Sequence, residues 1–551
     1  MNSKSATQWL AAITTCDAAL LRALAPIYGA SSAVLARLPL LQRVVSAFLD
    51  RFGDHDVRII RCPGRINLRG MHVDTHGGYL NLMTHQRETV VVFTSSKDPT
   101  STVVNIETGF PEVRCDPAQW NAAKRTAWAD FIAQAEVRNR VNAKRGDWSN
   151  YVEGAILRAR HQWPAHLLGG IRAVAGSDIP RGASLSSSTA LSLAVFMSVA
   201  ASNGQAATPT ELITIAQDIE WITGARVGVS DQVAMLFPRA NEVFNFAPPF
   251  DLSKARKQPF PDGLRLLVIN SHTERNLSGA DQLRYTRNRF AYSIALELLR
   301  SEMLRGGVAE PIVRSMLRLS DFNADALEPF GGNSAVYHWL QQIPESISLD
   351  ELRARYNIRA LDETYGTYFG PLPECDRPDQ FNFRGPLLYG LAESERARVF
   401  IDAIATANFT KAGRLMTIGH DGDRIVDASG NPWSYPVDNN AVQELSRRNV
   451  PIHQVPGAYG ASSRALDALV DCSIGAGALG ASLTGAGIAG VVLALCRAPD
   501  TERIVDAIHS YMETVGSGRL ARRPAPLTPD ELRSSVVVNQ PPASACELDP
   551  L

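Results

Sequence analysis

"IPRGASLSSSTALSLAVFMSVAASNG", residues 179–204, places a glycine and a run of small hydroxyl residues directly in front of a long apolar stretch. A linker would stay polar, and a core helix has no need of Ser184, Ser186, Ser187, Ser188 and Thr189 in near succession. The pattern predicts a tight turn at Gly182 and a helix that begins within the serines. The first N–H groups of such a helix lack intrahelical acceptors. Together with the hydroxyls and the positive end of the helix dipole, they favour phosphate. A Walker A loop would read GxxxxGK[ST]; no lysine follows here, so this cradle is of a different kind. Taken alone, the stretch also reads as a serine-rich helix cap.

Three further stretches frame it. "PGRINLRGMHVDTHGG", residues 63–78, puts Arg65 after a Pro-Gly turn and alternates His72, Asp74 and His76. On an extended segment those three would share one face. An arginine with clustered polar groups suits a charged or polyhydroxylated ligand. HxDxH also suggests a metal, although no third-ligand partner is evident, and a polar surface hairpin is the plain alternative. "EWITGARVGVSDQVAMLF", residues 220–237, carries Glu220 near a helix end and Asp231 beyond a glycine-bearing turn. If they converge on the phosphate loop, the two carboxylates supply a metal ligand and a base or anchor for a hydroxyl; separately, each is an ordinary exposed acid. "GALGASLTGAGIAGVVLAL", residues 477–495, is a glycine-rich bend before an apolar strand, as suited to packing as to binding.

The bulk properties bound the function. A 551-residue chain is too long for one ordinary core, which implies two domains with additions. With Lys+Arg 55 against Asp+Glu 56, neither nucleic acid nor an acidic membrane is favoured as a partner. Seven scattered cysteines, with no CxxC pair, indicate neither a zinc site nor a disulfide framework, and a cytoplasmic setting is expected. "WLAAITTCDAALLRALAPIYGA" is interrupted by Asp17 and Arg22 and reads as an amphipathic helix, and no other segment approaches transmembrane length. Residues 1–52 read as helices broken at Pro26 and Gly29, about 305–386 as an insertion or looser subregion, and 521–551 as a loosely held Pro-rich tail. The mixture of strands and helices is that of an α+β protein.

In order and rough spacing the four stretches resemble the GHMP kinases, and among these the galactokinases. "DWSNYVEGAI", "VINSHTERNLSGAD", "AGRLMTIGH" and "RALDALVD" have galactokinase-like counterparts, so the resemblance runs from about Val57 to Leu495 with the insertion uncovered. It implies a two-lobed fold: a ribosomal-protein-like N-terminal domain (53–250), a ferredoxin-like C-terminal domain (251–520) and an added helical segment in front. It implies ATP and Mg²⁺, with Gly182, Ser184, Ser186, Ser187 and Ser188 around the ATP phosphates and Ser188 with Glu220 on the metal. Asp231 takes the place of the family's proposed catalytic base, and Arg65 that of the arginine which steadies the transferring phosphoryl group. Met71, His72, Asp74, Gly228, Asp231 and Tyr285 fall at substrate-contacting positions, and the glycine-rich 480s would close the site from the second domain.

The departures carry information. Galactokinases read GEHTDYNGG where this chain reads "GMHVDTHGG", so Met71 replaces a glutamate that accepts hydrogen bonds from the sugar's outer hydroxyl, and Thr75 replaces a tyrosine. A thioether is no substitute for a carboxylate acceptor, and an unpaired buried hydroxyl costs about 1–3 kcal/mol. Ala183 and Ser184 narrow a loop in which the family favours glycine. The expected activity is ATP- and Mg²⁺-dependent phosphorylation of a monosaccharide hydroxyl, the anomeric one, with galactose not the best substrate and a pentose, a deoxysugar or another sugar less polar at that position fitting better. The alternatives are a non-catalytic sugar and ATP sensor acting through a protein partner, and a kinase for a non-sugar alcohol.

Overall fold

The computed structural model describes residues 4–120, 126–164, 169–224, 228–273 and 280–549. The long strand Asp56–Arg69 and its antiparallel partner Leu80–Ser95 form the centre of the N-terminal lobe, with Ile59 opposite Val92 and Ile60 opposite Val91. Ile171–Ser177 continues this sheet antiparallel and Ser101–Asn105 then joins parallel. Glu242–Phe246 pairs with the start of the Leu80–Ser95 strand. Because side chains alternate along a strand, the sheet has two apolar faces. Ile60, Cys62, Ile66 and Leu68 lie on the face that meets the Ser187–Ser202 helix, whereas Val57, Ile59, Val90 and Val92 look the other way.

The N-terminal helices cover that second face. Ala6–Thr14, Ala18–Tyr28, Ser31–Leu35 and Leu38–Phe52 bring Trp9, Leu41, Val44, Val45 and Phe48 onto it. The expected break at Pro26 is absent: the proline lies inside the second helix, which ends at Gly29 with φ +84°. Contrary to expectation, residues 31–52 are long and apolar enough to cross a membrane by composition. Here their apolar side is taken up by the sheet.

The C-terminal lobe is built on a four-stranded antiparallel sheet in the order Gly480–Leu483, Val491–Arg497, Leu264–Asn270, Val536–Val538. Arg464–Gly475 and Thr501–Met512 pack against Leu267, Ile269, Val492 and Ala494, while Leu266, Val268, Leu493 and Leu495 join the large central core. The α+β, two-lobed expectation is met. Residues 305–386, expected to be loose, instead form short helices with two-residue strands at Ile347–Ser348 and Gln380–Phe381. Phe290, from the Ala280–Arg305 helix, packs among Tyr365, Tyr368, Phe369, Phe381 and Phe383 of this segment, so aromatic burial orders what the periodicity left weak.

The tail is likewise not loose. Val536–Val538 is the edge strand of the C-terminal sheet, and Cys546–Leu548 pairs with Ile59–Arg61 in the N-terminal sheet. Between them Asn539 donates to the Leu266 carbonyl (2.9 Å), and the Pro542 carbonyl accepts from the Thr84 hydroxyl (2.5 Å). The prolines end one ladder and carry the chain to the next. Where it arrives, the fully buried Arg61 donates to the carbonyls of Ala543 (2.7 Å) and Ser544 (3.0 Å) and pairs with the equally buried Glu88. Tyr28 donates to the other Glu88 oxygen at 2.7 Å, so N-terminal helices, sheet and tail meet on one buried ion pair.

Removing one partner of such a pair leaves an uncompensated buried charge. Glu88→Gln is therefore expected to lower stability by about 3–5 kcal/mol in chemical denaturation and to expose the tail to proteolysis near Pro541. A variant with wild-type stability and an intact tail would refute this account of the tail.

Candidate active site

The opening motif folds as its composition requires. Gly182, Ser184 and Ser186 all have left-handed φ (67°, 58° and 57°), and the helix Ser187–Ser202 starts immediately after. Alternation of this kind turns successive N–H groups toward one side and makes an anion-binding concavity. No side chain caps the helix, in contrast to Pro209–Trp221 with its Thr208/Glu211 capping box. The first-turn N–H groups are left for a ligand, and the Ser186 hydroxyl is turned to Asp231 instead.

The two carboxylates take different positions around this turn. Glu220, in the last turn of its helix, is buried and accepts from the Ser188 hydroxyl (3.0 Å) and the Thr189 hydroxyl (2.8 Å). Burial, with the Asp231 charge nearby, pushes its carboxyl up to about 7. Asp231 opens the Ser230–Leu236 helix. Its Oδ1 accepts from Arg65 Nε at 2.6 Å and its Oδ2 from Ser186. Arg65 lies on the long strand next to the bulge at Pro63/Gly64, and its remaining arm donates to the Ser184 carbonyl. One guanidinium thus ties the candidate base to the phosphate turn.

The glycine-rich 480s reach this place from the other lobe. A Cβ at Gly485 or Gly490 would press on Ser184, at 2.9 and 2.8 Å, and both glycines have positive φ. Among the described residues no group of three His, Cys, Asp or Glu side chains could hold a metal, which disposes of the HxDxH alternative there. Glu220 with Ser188 offers one carboxylate and one hydroxyl. That sparse, all-oxygen set suits Mg²⁺, which completes its shell with phosphate oxygens and water.

The predicted common face of His72, Asp74 and His76 does not form. Residues 74–76 make a 3-10 turn and His72 itself is left-handed (φ 64°), so the three side chains diverge. Asp74 accepts from Ser230 through its hydroxyl (2.8 Å) and its N–H (3.4 Å), and Ser230 also lies 3.5 Å from Asp231. Burial is the main cause that raises the Asp74 carboxyl pKa. Gly228 is required here, since any Cβ would overlap the Asp74 carboxylate. His76 lies against Tyr292, with ring centroids 4.3 Å apart. His72 stacks on Tyr459 at 4.5 Å, and Tyr285 meets the same Tyr459 edge-on at 6.4 Å.

Met71 leaves this group. It is buried in the C-terminal core with Leu466 and Leu483, its sulfur 3.4 Å from Arg69 Nη2. Glu393 is buried and engaged by Gly70 N–H (2.7 Å), Arg69 (3.2 Å) and Arg396 (2.7 Å). Sequence reasoning missed Ser230, although it sits inside "VGVSDQ", next to Asp231. It also missed Tyr292, Tyr389 and Tyr459. Only the glycines flanking Tyr459 in "PGAYG" hinted at a constrained aromatic.

Three family models match parts of the chain. Residues 150–239 match the GHMP kinases N terminal domain, 46–95 the galactokinase galactose-binding signature, and 438–514 the GHMP kinases C terminal domain. A galactokinase of Roseiflexus sp. is 30% identical over 234 residues, covering 42% of this chain and 53% of its own. That of Chloroflexus aurantiacus is 25% identical over 472 residues, covering 85% and 91%. The crystal structure of Lactococcus lactis galactokinase complexed with galactose superposes with a TM-score of 0.58 at 19% identity, covering 91% of this chain and 98% of that one, a likeness of fold. The chain carries both GHMP kinase domain matches and the galactokinase galactose-binding signature and is similar to galactokinases over most of its length; it is a galactokinase-like, ATP-dependent phosphotransferase with an alcohol group as acceptor.

Proposed function

We propose that the protein is an ATP- and Mg²⁺-dependent monosaccharide kinase of the reducing cytoplasm that phosphorylates the anomeric hydroxyl. The observation that carries this is the joint at Asp231, whose carboxylate engages Arg65 and the phosphate turn on one side and adjoins Ser230 and Asp74 on the other. A sugar hydroxyl placed between them donates its proton to Asp231 as its oxygen bonds the γ-phosphorus and the bond to ADP breaks. Arg65 and the uncapped N–H groups of the Ser187–Ser202 helix meet the charge on the phosphoryl oxygens. Mg²⁺, when bound through Ser188 and Glu220, neutralises phosphate charge. Asp74, with His72 and the tyrosine cluster, orients the remaining hydroxyls. All seven cysteines are free, which supports the compartment.

Galactose does not suit the Met71 side. The thioether points into the core, and Glu393 is buried and committed to Gly70, Arg69 and Arg396, so a sugar hydroxyl there meets no carboxylate in place of the family's glutamate. A pentose or deoxysugar, less polar at that position, fits better.

The test is Mg²⁺-dependent ADP release across galactose, L-arabinose, fucose, glucuronate and heptoses. Turnover is expected to be best on a pentose or deoxysugar; galactose turned over as efficiently would sink the Met71 reading, and no turnover alongside ATP binding would sink the kinase reading in favour of a sensor. Asp231→Asn is expected to lower kcat about 10²–10⁴-fold, the usual worth of a positioned base. Gly228→Ala displaces Asp74 and is expected to raise the KM for sugar about ten-fold or more, with KM for ATP unchanged. Equal effects on both KM values would show that Gly228 does not serve the sugar side.

A further inference from the structure

Behind the sugar side of the site two polar atoms face one another without other partners. His72 Nε2 lies 3.6 Å from Asp423 Oδ1, both are buried, and neither makes a hydrogen bond. Asp423 ends the Phe409–Asp423 helix of the C-terminal lobe, whereas His72 belongs to the turn after the Asp56–Arg69 strand of the N-terminal lobe. The other oxygen, Oδ2, accepts from the Tyr389 hydroxyl at 2.8 Å. Stacking on Tyr459 holds the imidazole plane. A gap of 3.6 Å is too long for a hydrogen bond, yet two buried, unpaired polar atoms are costly, and a proton between them satisfies both.

We propose that Asp423 is a positioning residue for the sugar: it accepts the Nε2 proton of His72 and so leaves Nδ1 as a bare acceptor for a substrate hydroxyl. The inference rests on the sugar-kinase reading above. The opposite tautomer would set a bare Nε2 against a carboxylate oxygen, two acceptors face to face. Burial lowers the pKa of His72, so the ring carries one proton and its tautomer is what matters. Burial holds the Asp423 carboxyl up at about 7, opposed by the Tyr389 hydroxyl, Arg69 and the Ala461 N–H, with Glu393 adding to the rise. On the His72 side the Glu393 charge opposes the effect of burial and the positive charge of Arg289, from the Ala280–Arg305 helix, adds to it, while Tyr459 closes the cluster. Above that pH the carboxylate accepts from Nε2–H. Below it the carboxyl proton is donated to Nε2 and the ring proton must sit on Nδ1, inverting what the substrate meets.

The experiment uses the full-length chain labelled with ¹⁵N-histidine, read by long-range ¹H–¹⁵N spectra at about pH 8, with His72 assigned by its loss in His72→Gln. The expected result is an Nε2–H ring in the wild type and a tautomer mixture in Asp423→Asn. In that variant KM for the best sugar should rise about ten-fold while kcat stays within about two-fold, and the rise in wild-type KM below about pH 7 should flatten. An Nδ1–H ring in the wild type at that pH overturns the proposal, as does a folded Asp423→Asn with wild-type KM. The wild-type tautomer needs neither turnover nor a stable variant, so failure of the kinase reading stays distinguishable from failure of this one.

Discussion

The contact between Arg65 and Asp231 is the constraint on which the rest of the site depends. An acid beside a phosphate-binding turn would be repelled by its anionic ligand unless a fixed cation accompanied it. Arg65 provides that cation from the long central strand, and its second arm grips the backbone of the turn. The bulge at Pro63/Gly64 aims it. Sheet, turn and Asp231 are therefore one mechanical unit, and the arrangement of helices around the sheet keeps it in place.

The two lobes are joined more firmly than a simple hinge would be. The glycine-rich loop of the C-terminal lobe rests on Ser184, the tail contributes a strand to each sheet, and the Arg61–Glu88 pair gathers tail, sheet and N-terminal helices. The N-terminal segment is part of this framework: without it the face carrying Ile59, Val90 and Val92 would be open to water. Both ends of the chain thus support the strand that carries Arg65.

The proposed sugar side is built differently, from aromatic rings and paired or nearly paired polar groups drawn from distant parts of the chain. Tyr292, Tyr389 and Tyr459 surround His72 and His76, while Asp74 is held by Ser230. Rings of this kind restrict shape, and a few placed hydrogen-bonding atoms set orientation. Moving Met71 into the core removes a polar contact from one edge, and Asp423 adds a carboxylate behind His72. The sequence departs from the galactokinase pattern on both sides, with Ala183 and Ser184 in the serine-rich turn and Met71 and Thr75 in the other motif.

What was legible in the sequence follows from how local the physics is. The phosphate turn, its helix, the strand bearing Arg65 and the acids Glu220 and Asp231 were readable because glycine, serine runs and apolar periodicity act within a few residues. The two-lobed α+β architecture came with the order of those motifs. The sequence did not disclose the tertiary partners. The tail read as loose because prolines near 541 argue against a strand, yet the strands on either side gain stability from sheets laid down hundreds of residues earlier. His72, Asp74 and His76 seemed to share a face because alternation implies extension, and the 3-10 turn that separates them is set by Gly228, Ser230 and Tyr292. Asp423 carried no signal at all, since a carboxylate acquires meaning from the buried atom it faces, and only folding brings His72 within 3.6 Å of it.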